Sequence, residues 1–441
     1  MQTRRNRTNY AMTLLPPLES LVPEDHKLRR LGRVLDLSFV HDVVKDRYCQ
    51  TNGRPSIDPE VVIRLFLLQA LEGLSSVREL MRQVQVNLAY RWFIGYELDE
   101  SLPDHSSLSR ALDRFGDEIF GELFARSVKQ CQSSGLIEGK VLYVDATTIR
   151  ADLDMYRVGK PDSPDPDARF GRFPDEKMRP GYKQQTVVDG RSRVVVGLSV
   201  KPANESDTSD FVETVDATCR SLGFYPEALC ADAGYSSGKN CAKLLSRGIR
   251  LISPPPRPIT YTGRDQFTTE DFLYDTHRDE FTCPAGHKLR YLNTERWRGR
   301  RQYRARPSAC GPCPLKPRCT RSDRRQLKVT RYHSALIRLR ADSQTESFKR
   351  LYRSRAPVIE GVFAEAKQWH GLGRAWRRGL CKMKVQSLLV ATVLNFKRLM
   401  ALVHGHFGLL VHVYRLLKAV LASWRRATAS PQSITALSII P

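Results

Sequence analysis

The sequence predicts an α/β protein, a mixed sheet flanked by helices, with an all-helical module before it and a basic, cysteine-bearing block interrupting it. Three observations carry that expectation. Apolar runs of helical period, bounded by capping signals, fill much of the first 125 residues. Strand-like runs then follow between 141 and 256 in the order strand, strand, strand, helix, strand, helix, strand. That grammar gives a mixed sheet with helices on its faces. From 257 to 344 the rhythm stops, and cations and cysteines take over.

The elements follow in chain order. "IDPEVVIRLFLLQALEGL" (57–74) reads as a buried helix, with Asp58 as cap and Pro59 at its first position. "SSVRELMRQVQVNLAYRWFIG" (75–95) reads as another, capped by Ser75 or Ser76 and stopped by Gly95. A third begins near "DHSSLSRALDRFG" (104–116). Short helices with tight turns fit a helix-turn-helix-like DNA-binding module, and a plain helical bundle fits them nearly as well. "VLYVDAT" (141–147), "YKQQTVVD" (182–189) and "SRVVVGLSVKP" (192–202) are strands, the last two joined by the turn "DGRS". Residues 152–180 read as a long loop. A helix at 209–222, strand "EALCADAGY" (227–235), helix 236–248 and strand "IRLISPPP" (249–256) complete the run. The expected regions are 1–125, a helical DNA-binding domain; 126–256, the first part of the α/β core; 257–344, the basic cysteine-rich block; 345–402, helices that close the core; and 403–441, a tail helical until about Trp424.

Of the 441 residues, 41% are hydrophobic, which suits a globular chain of two or three domains. No run of eighteen apolar residues lacks charges, so no membrane span is expected. The start "MQTRRNRTNYAMTLL" has too short an apolar part for a signal peptide, and a cytoplasmic protein is expected. Lys and Arg number 71 against 47 Asp and Glu, a net charge of +24. Such an excess calls for an anionic partner, and nucleic acid rewards each cation by releasing counterions. The excess is concentrated: residues 283–340 hold seventeen Lys and Arg against Glu295 and Asp323 alone. Tyr291, Trp297, Tyr303 and Tyr332 are interleaved with them. Cations that track a backbone beside aromatics that stack on bases are a common grip on nucleic acid.

Carboxylates at strand ends in α/β sheets are where ligand groups collect. Asp145 stands where an apolar run turns acidic, and Asp232 precedes the small-residue turn "AGYSS". Glu360, in "APVIEGVFAEAKQWHG", is a third candidate from a helix. Three hard oxygen ligands suit Mg²⁺ or Mn²⁺. Each acid also has a plainer reading: Asp145 as a strand terminus, Asp232 as a helix cap, Glu360 as a complement to a helix dipole. Glu365 is the rival third acid, about 140° around an ideal helix from Glu360, whereas Lys367 returns to nearly the same face as Glu360.

These acids and their surroundings resemble the DDE transposases of bacterial insertion sequences, in the branch with a Tyr–Arg–Glu–Lys signature. The matching residues are Tyr352, Arg355, Glu360 and Lys367 in "YRSRAPVIEGVFAEAK". "ADAGY", "GYKQQTVVDG" and "KPANESD" match the surroundings of the first two acids, and "LVPEDHKLRRL" through "DHSSLSRALDRF" is similar to the helical domain of such enzymes. Four residues separate Arg355 from Glu360 where much of the branch has three, a departure that goes with a cysteine-bearing insertion. The resemblance, over roughly 20–400, implies a ribonuclease H-like core and metal-dependent strand cleavage followed by strand transfer. It implies that Asp145, Asp232 and Glu360 hold Mg²⁺ or Mn²⁺, that Arg355 and Lys367 position phosphates, and that Tyr352 touches the DNA backbone or only packs. The partners implied are double-stranded DNA, both terminal inverted repeats and target, with a homodimer on paired ends and a nucleoid-associated, cytoplasmic location.

Ten cysteines without a secretory signal argue against a disulfide framework. Cys283, Cys310, Cys313 and Cys319 cluster in the insertion as a distant cysteine plus "CGPCPLKPRC", with His287 as a substitute ligand. A structural zinc site and reduced thiols on a loop are equal alternatives. Cys219, Cys230 and Cys241 are expected in the core. Rival functions are a non-catalytic DNA-binding protein derived from a transposase, a nuclease that only hydrolyses, and an RNA-directed protein.

Overall fold

The computed structural model describes residues 16–49, 56–257, 266–297 and 299–403. Among them, eight helices precede the first strand: α1 (Leu18–Leu21), α2 (Lys27–Val34), α3 (Val40–Val44), α4 (Pro59–Glu72), α5 (Val77–Val86), α6 (Leu88–Ile94), α7 (His105–Phe115) and α8 (Glu118–Ser133). The Asp58 side chain accepts the Glu60 amide at the start of α4, and Gly73 ends the helix at φ +63°. Its side chains from Val61 to Ala70 are buried, so α4 is the axle of the helical module. The single helix expected over 75–95 is two, α5 and α6. Asn87 leaves the helical conformation at φ −104°, ψ 114° and caps the Tyr90 amide with its side chain. A short polar side chain that competes for backbone groups is a natural break.

Six strands form the main sheet: β1 (Val141–Arg150), β2 (Arg169–Arg172), β3 (Met178–Asp189), β4 (Val195–Pro202), β5 (Ala228–Cys230) and β6 (Arg250–Ile252). Across the sheet the order is β4-β3-β1-β5-β6, with β2 beside the first residues of β3. β1, β3 and β4 are antiparallel, while β5 and β6 run parallel to β1. The stretch 152–180 is not wholly loop. It turns back through β2 and starts β3 at Met178, four residues earlier than the "YKQQ" run suggests. Helix α9 (Phe211–Leu222) links β4 to β5, and α10 (Gly238–Leu245) links β5 to β6.

The basic block is a second, antiparallel sheet: β7 (Leu273–Asp275), β8 (Glu280–Thr282), β9 (Lys288–Thr294), β10 (Arg300–Arg304) and β11 (Gln326–Thr330), each strand paired with the next. Two short helices, α11 (Pro307–Cys310) and α12 (Lys316–Cys319), sit between β10 and β11. The block has a small core of its own around Phe281, Leu289, Tyr303 and Leu327. The chain then closes through α13 (His333–Ser343), α14 (Glu346–Arg353), a π turn (Ala356–Glu360), α15 (Gly361–Trp369) and α16 (Leu380–Val403). The tail expected beyond 403 lies outside the described residues.

By length and composition alone α16 could cross a membrane, yet 72% of its apolar window is buried inside the molecule. One core joins it to the helical module and the main sheet. Its Asn395, fully buried, acts as a one-residue strand for the outer edge of β4. The Asn395 side chain accepts the Val195 amide at 2.9 Å and donates to the Val195 carbonyl at 2.9 Å. Asn395→Leu would orphan both groups and is expected to cost roughly 2–5 kcal/mol. Urea unfolding of the variant measures this, and a cost under about 1 kcal/mol would show that the β4 edge finds other partners.

Candidate active site

Register places the first two acids. Parallel pairing of β1 with β5 ends at Tyr143 opposite Cys230. Asp145 and Asp232 each stand two residues further on, so they are level, on neighbouring chain segments, and on the same face of the sheet. Adjacent strands lie about 5 Å apart. Asp145 is therefore not at the end of its strand, as the sequence suggested. β1 continues to Arg150 because β3 pairs with it along its length, and only the β5 side stops. The π turn covers the edge left open there.

The turn after Asp232 is tightly fixed. The Asp232 carboxylate accepts the Gly234 amide, and Ser253 donates to the Asp232 carbonyl. Tyr235 is buried with its ring 4.7 Å from Phe211, and Gln185 on β3 donates to its hydroxyl at 3.3 Å. Asn240 donates to the Tyr235 carbonyl at 3.1 Å. The cap of α10 is Ser237, so Asp232 is left to the short turn alone. Sequence reasoning missed these supports. Tyr235 and Gln185 lie inside quoted motifs, whereas Asn240 and Ser253 carry no signal that pattern could reveal.

Arg355 joins the first and third acids. Its guanidinium donates to Asp145 at 2.6 Å and lies 3.6 Å from the nearer Glu360 oxygen. An ordinary α-helix would carry residue i+5 well off the face of residue i. The π turn, with its i→i+5 closure, absorbs the extra residue and returns Glu360 to the Arg355 side. Burial pushes the Asp145 carboxyl above its usual range; the Ala146 amide and Arg355 oppose that rise, and the Asp232 charge adds to it. Burial, the largest influence, would lower the Arg355 pKa, but the charge and hydrogen bond of Asp145, with Tyr352 and Asp232, together raise it and keep the guanidinium protonated. The Glu360 side chain is 59% exposed, so this edge of the cluster opens to solvent.

The rival acid faces elsewhere. Glu365 receives Lys397 and Arg398 from α16, the latter at 2.5 Å, and lies 4.0 Å from His370. Burial would raise its pKa, but Arg398 and Lys397 pull it down to about 2. Lys367 lies two turns beyond Glu360 on nearly the same face. It is half-buried, has no hydrogen-bond or ionic partner among the described residues, and burial pushes its pKa down. The Tyr352 ring stacks on Phe348, with 6.4 Å between centroids.

In the second sheet, Trp297 is 96% exposed and Tyr291 43%, with Arg301 4.9 Å above the Tyr291 ring. Arg331 lies 4.9 Å above Tyr332. Tyr303 is not part of that surface. It is fully buried and donates to Asp279 at 2.6 Å, because its position on β10 faces the small core. Cys283, Cys310, Cys313 and Cys319 line one cavity with His287. Cys219, Cys230 and Cys241 are buried in the main core. Among the described residues, no group of three or more His, Cys, Asp or Glu side chains already has the arrangement of a metal site.

Residues 16–114 match the family described as a transposase domain (DUF772), and residues 282–400 match the transposase DDE domain. The chain thus carries two transposase domains, consistent with a DDE transposase of an insertion sequence. The DDE match contains Arg355, Glu360 and Lys367, while Asp145 and Asp232 lie between the two matched stretches. None of the curated proteins matches the transposase. Solved structures similar to it include a piggyBac transposase synaptic complex with hairpin DNA, at 10% identity and a TM-score of 0.35, covering 85% of this chain and 72% of that one. A Mos1 transposase paired-end complex is similar at 13% identity and a TM-score of 0.18, covering 46% of this chain and 61% of that one. A Mos1 mariner paired-end complex with Mn is similar at 11% identity and a TM-score of 0.17, covering 51% and 65%.

Glu365 can be tested apart from Glu360. Because its folded pKa is depressed, Glu365 contributes stability that is present above its ordinary value of 4.5 and is lost as pH falls towards about 2. Glu365→Gln is expected to cost the transposase roughly 2 kcal/mol at pH 7, with the difference from wild type shrinking below about pH 4. Unfolding curves at both pH values test this, and an equal deficit at both would remove the ion pairs as its cause.

Proposed function

We propose that this transposase is a competent DDE enzyme of the Tyr–Arg–Glu–Lys branch, which cuts DNA at the ends of an insertion sequence and joins those ends to target DNA. The observation that carries the reading is the Arg355 bridge, which ties Asp145 to a residue 210 positions along the chain and approaches Glu360 within 3.6 Å, with Asp232 level with Asp145. The strand order β4-β3-β1-β5-β6, antiparallel then parallel, supports a ribonuclease H-like core.

The donor set fits Mg²⁺ or Mn²⁺ in kind: three carboxylates, hard oxygen ligands, open to solvent at Glu360. When bound, such ions activate the attacking oxygen and offset charge on the leaving one. Asp145, Asp232 and Glu360 hold them. Arg355 exchanges its carboxylates for phosphate oxygens, which its planar fork grips in pairs. Lys367, with no counter-ion among the described residues, provides a point charge for a phosphate. In the first step water attacks a phosphodiester, an oxygen–phosphorus bond forms, and the bond to the 3′-oxygen breaks to leave a 3′-hydroxyl. In the second step that hydroxyl attacks a target phosphodiester and displaces another 3′-hydroxyl.

The helical module and the basic sheet grip duplex DNA, and pairing two ends requires two copies of the chain. Its place of work is then the nucleoid in the cytoplasm. Asp232→Asn is expected to abolish Mg²⁺-dependent cleavage of terminal-repeat DNA and to leave DNA binding within a few-fold. Cleavage at the wild-type rate would remove Asp232 from the site. A wild-type chain that binds this DNA but never cuts it with either ion would favour the non-catalytic DNA-binding reading.

Trp297 tests the binding surface separately. Stacking of an unpaired base on an aromatic is worth about 1–3 kcal/mol, so Trp297→Ala should weaken binding of terminal-repeat DNA with a single-stranded end roughly tenfold at fixed salt. Fluorescence anisotropy reads this directly, and unchanged binding would put the DNA elsewhere.

A further inference from the structure

We propose that Cys283, Cys310, Cys313 and Cys319 bind one Zn²⁺ as a structural tetrathiolate site, which folds the second sheet and supplies the counter-charge for the buried Arg325. The proposal rests on the insertion alone and is independent of the catalytic reading.

Four sulfurs from three places in the chain meet at one small cavity. Cys283 comes from the turn between β8 and β9, Cys310 ends α11, and Cys313 and Cys319 flank and end α12. All four are free of disulfides. The backbone is already aimed at thiolates. The His287 amide donates to the Cys283 sulfur at 3.3 Å, and the Arg325 amide donates to the Cys310 sulfur at 3.5 Å. Donors to a sulfur favour its charged form, which is the form that binds metal.

Arg325 provides an independent observation. Only 9% exposed, it lines the same cavity and has no carboxylate partner among the described residues. Its guanidinium donates to the carbonyls of Cys319 and Phe267, and its Nε has no acceptor. A buried charge without a counter-charge is strongly unfavourable. Four neutral thiols offer none, and two disulfides would offer none either. Four thiolates around Zn²⁺ carry a net charge of −2, which answers Arg325 and the Lys316 side chain at the same cavity.

The sheet also needs a staple. Among the described residues its core contains seven buried side chains beneath five short strands, and segments this small commonly depend on a metal or cross-links. As they stand, the four thiols line the cavity without closing a coordination shell. Binding zinc would draw the four sulfurs together in the cavity they already line, and a soft four-sulfur set selects zinc over the harder ions of the carboxylate cluster.

The test is the zinc content of the full chain, purified without chelator and measured by mass spectrometry. About one zinc per chain is expected, with none in the Cys310→Ser/Cys313→Ser double variant and full content in His287→Ala. Because the double variant can misfold, the wild-type chain is also titrated with a mercurial thiol reagent beside a zinc indicator. One equivalent of zinc should be released as four thiols react. Asp232→Asn, in which cleavage is expected to be silent, should keep its zinc, so the two proposals fail separately. A wild-type chain that contains no zinc and takes up none after reconstitution overturns the site, as does a double variant that retains a full equivalent.

Discussion

The candidate site depends on a single cation held between two acids. Asp145 is mostly buried and stands beside Asp232, a combination that disfavours its charge. Something positive must face it if it is to remain a carboxylate. Arg355 does so from a helix whose sequence lies far away, and by reaching Glu360 as well it sets the distance between the sheet and that helix. A side chain that only packed could not do this, because its position would not be tied to the charge of the acids. The guanidinium therefore marks where positive charge belongs in this cluster, and it is the position that a divalent ion and a phosphate would share.

Helix phase decides which acid can belong. Glu360 and Glu365 sit five residues apart, and one regular helix cannot turn both to the sheet. The extra residue between Arg355 and Glu360 would have rotated Glu360 away had the helix stayed regular. The π turn corrects the phase before α15 begins, so Glu360 faces Asp145 while Glu365 falls on the α16 side and is consumed by Lys397 and Arg398. The extra residue between Arg355 and Glu360 coincides with a change of helix type, and Glu360 remains 3.6 Å from the Arg355 guanidinium.

Much of the fold was legible from local chemistry. Asp58, Pro59 and Gly73 bracket α4 as caps should, and the alternation of sheet and helix from β3 to β6 followed from apolar runs and turns. Two things were not. Asn87 breaks a helix from inside an unbroken periodic pattern, because its capping bond to Tyr90 depends on geometry rather than spacing. The second sheet was hidden by its own charge: in "RRQYR" and "QLKVT" the apolar alternation is only two or three residues long, too short to stand out among arginines. Of the site, the residue types were readable, but the levelling of Asp145 with Asp232 rests on where β5 stops, and the burial of Tyr303 rests on which face of β10 turns inward.

The place of the insertion in the chain gives it a mechanical meaning. The chain leaves the main sheet just after β6, where Ser253 holds the Asp232 carbonyl. It returns through α13 and α14 straight into Arg355 and Glu360. The two strands of that neck are clamped together: Arg250 on β6 donates to both oxygens of Asp342 on α13, at 2.8 and 2.6 Å, and also to Ser347 at 2.9 Å. A bidentate pair of this kind fixes orientation as well as distance. The second sheet, rich in Lys and Arg, is thus mounted on the same short frame that carries Asp232 at one end and Glu360 at the other.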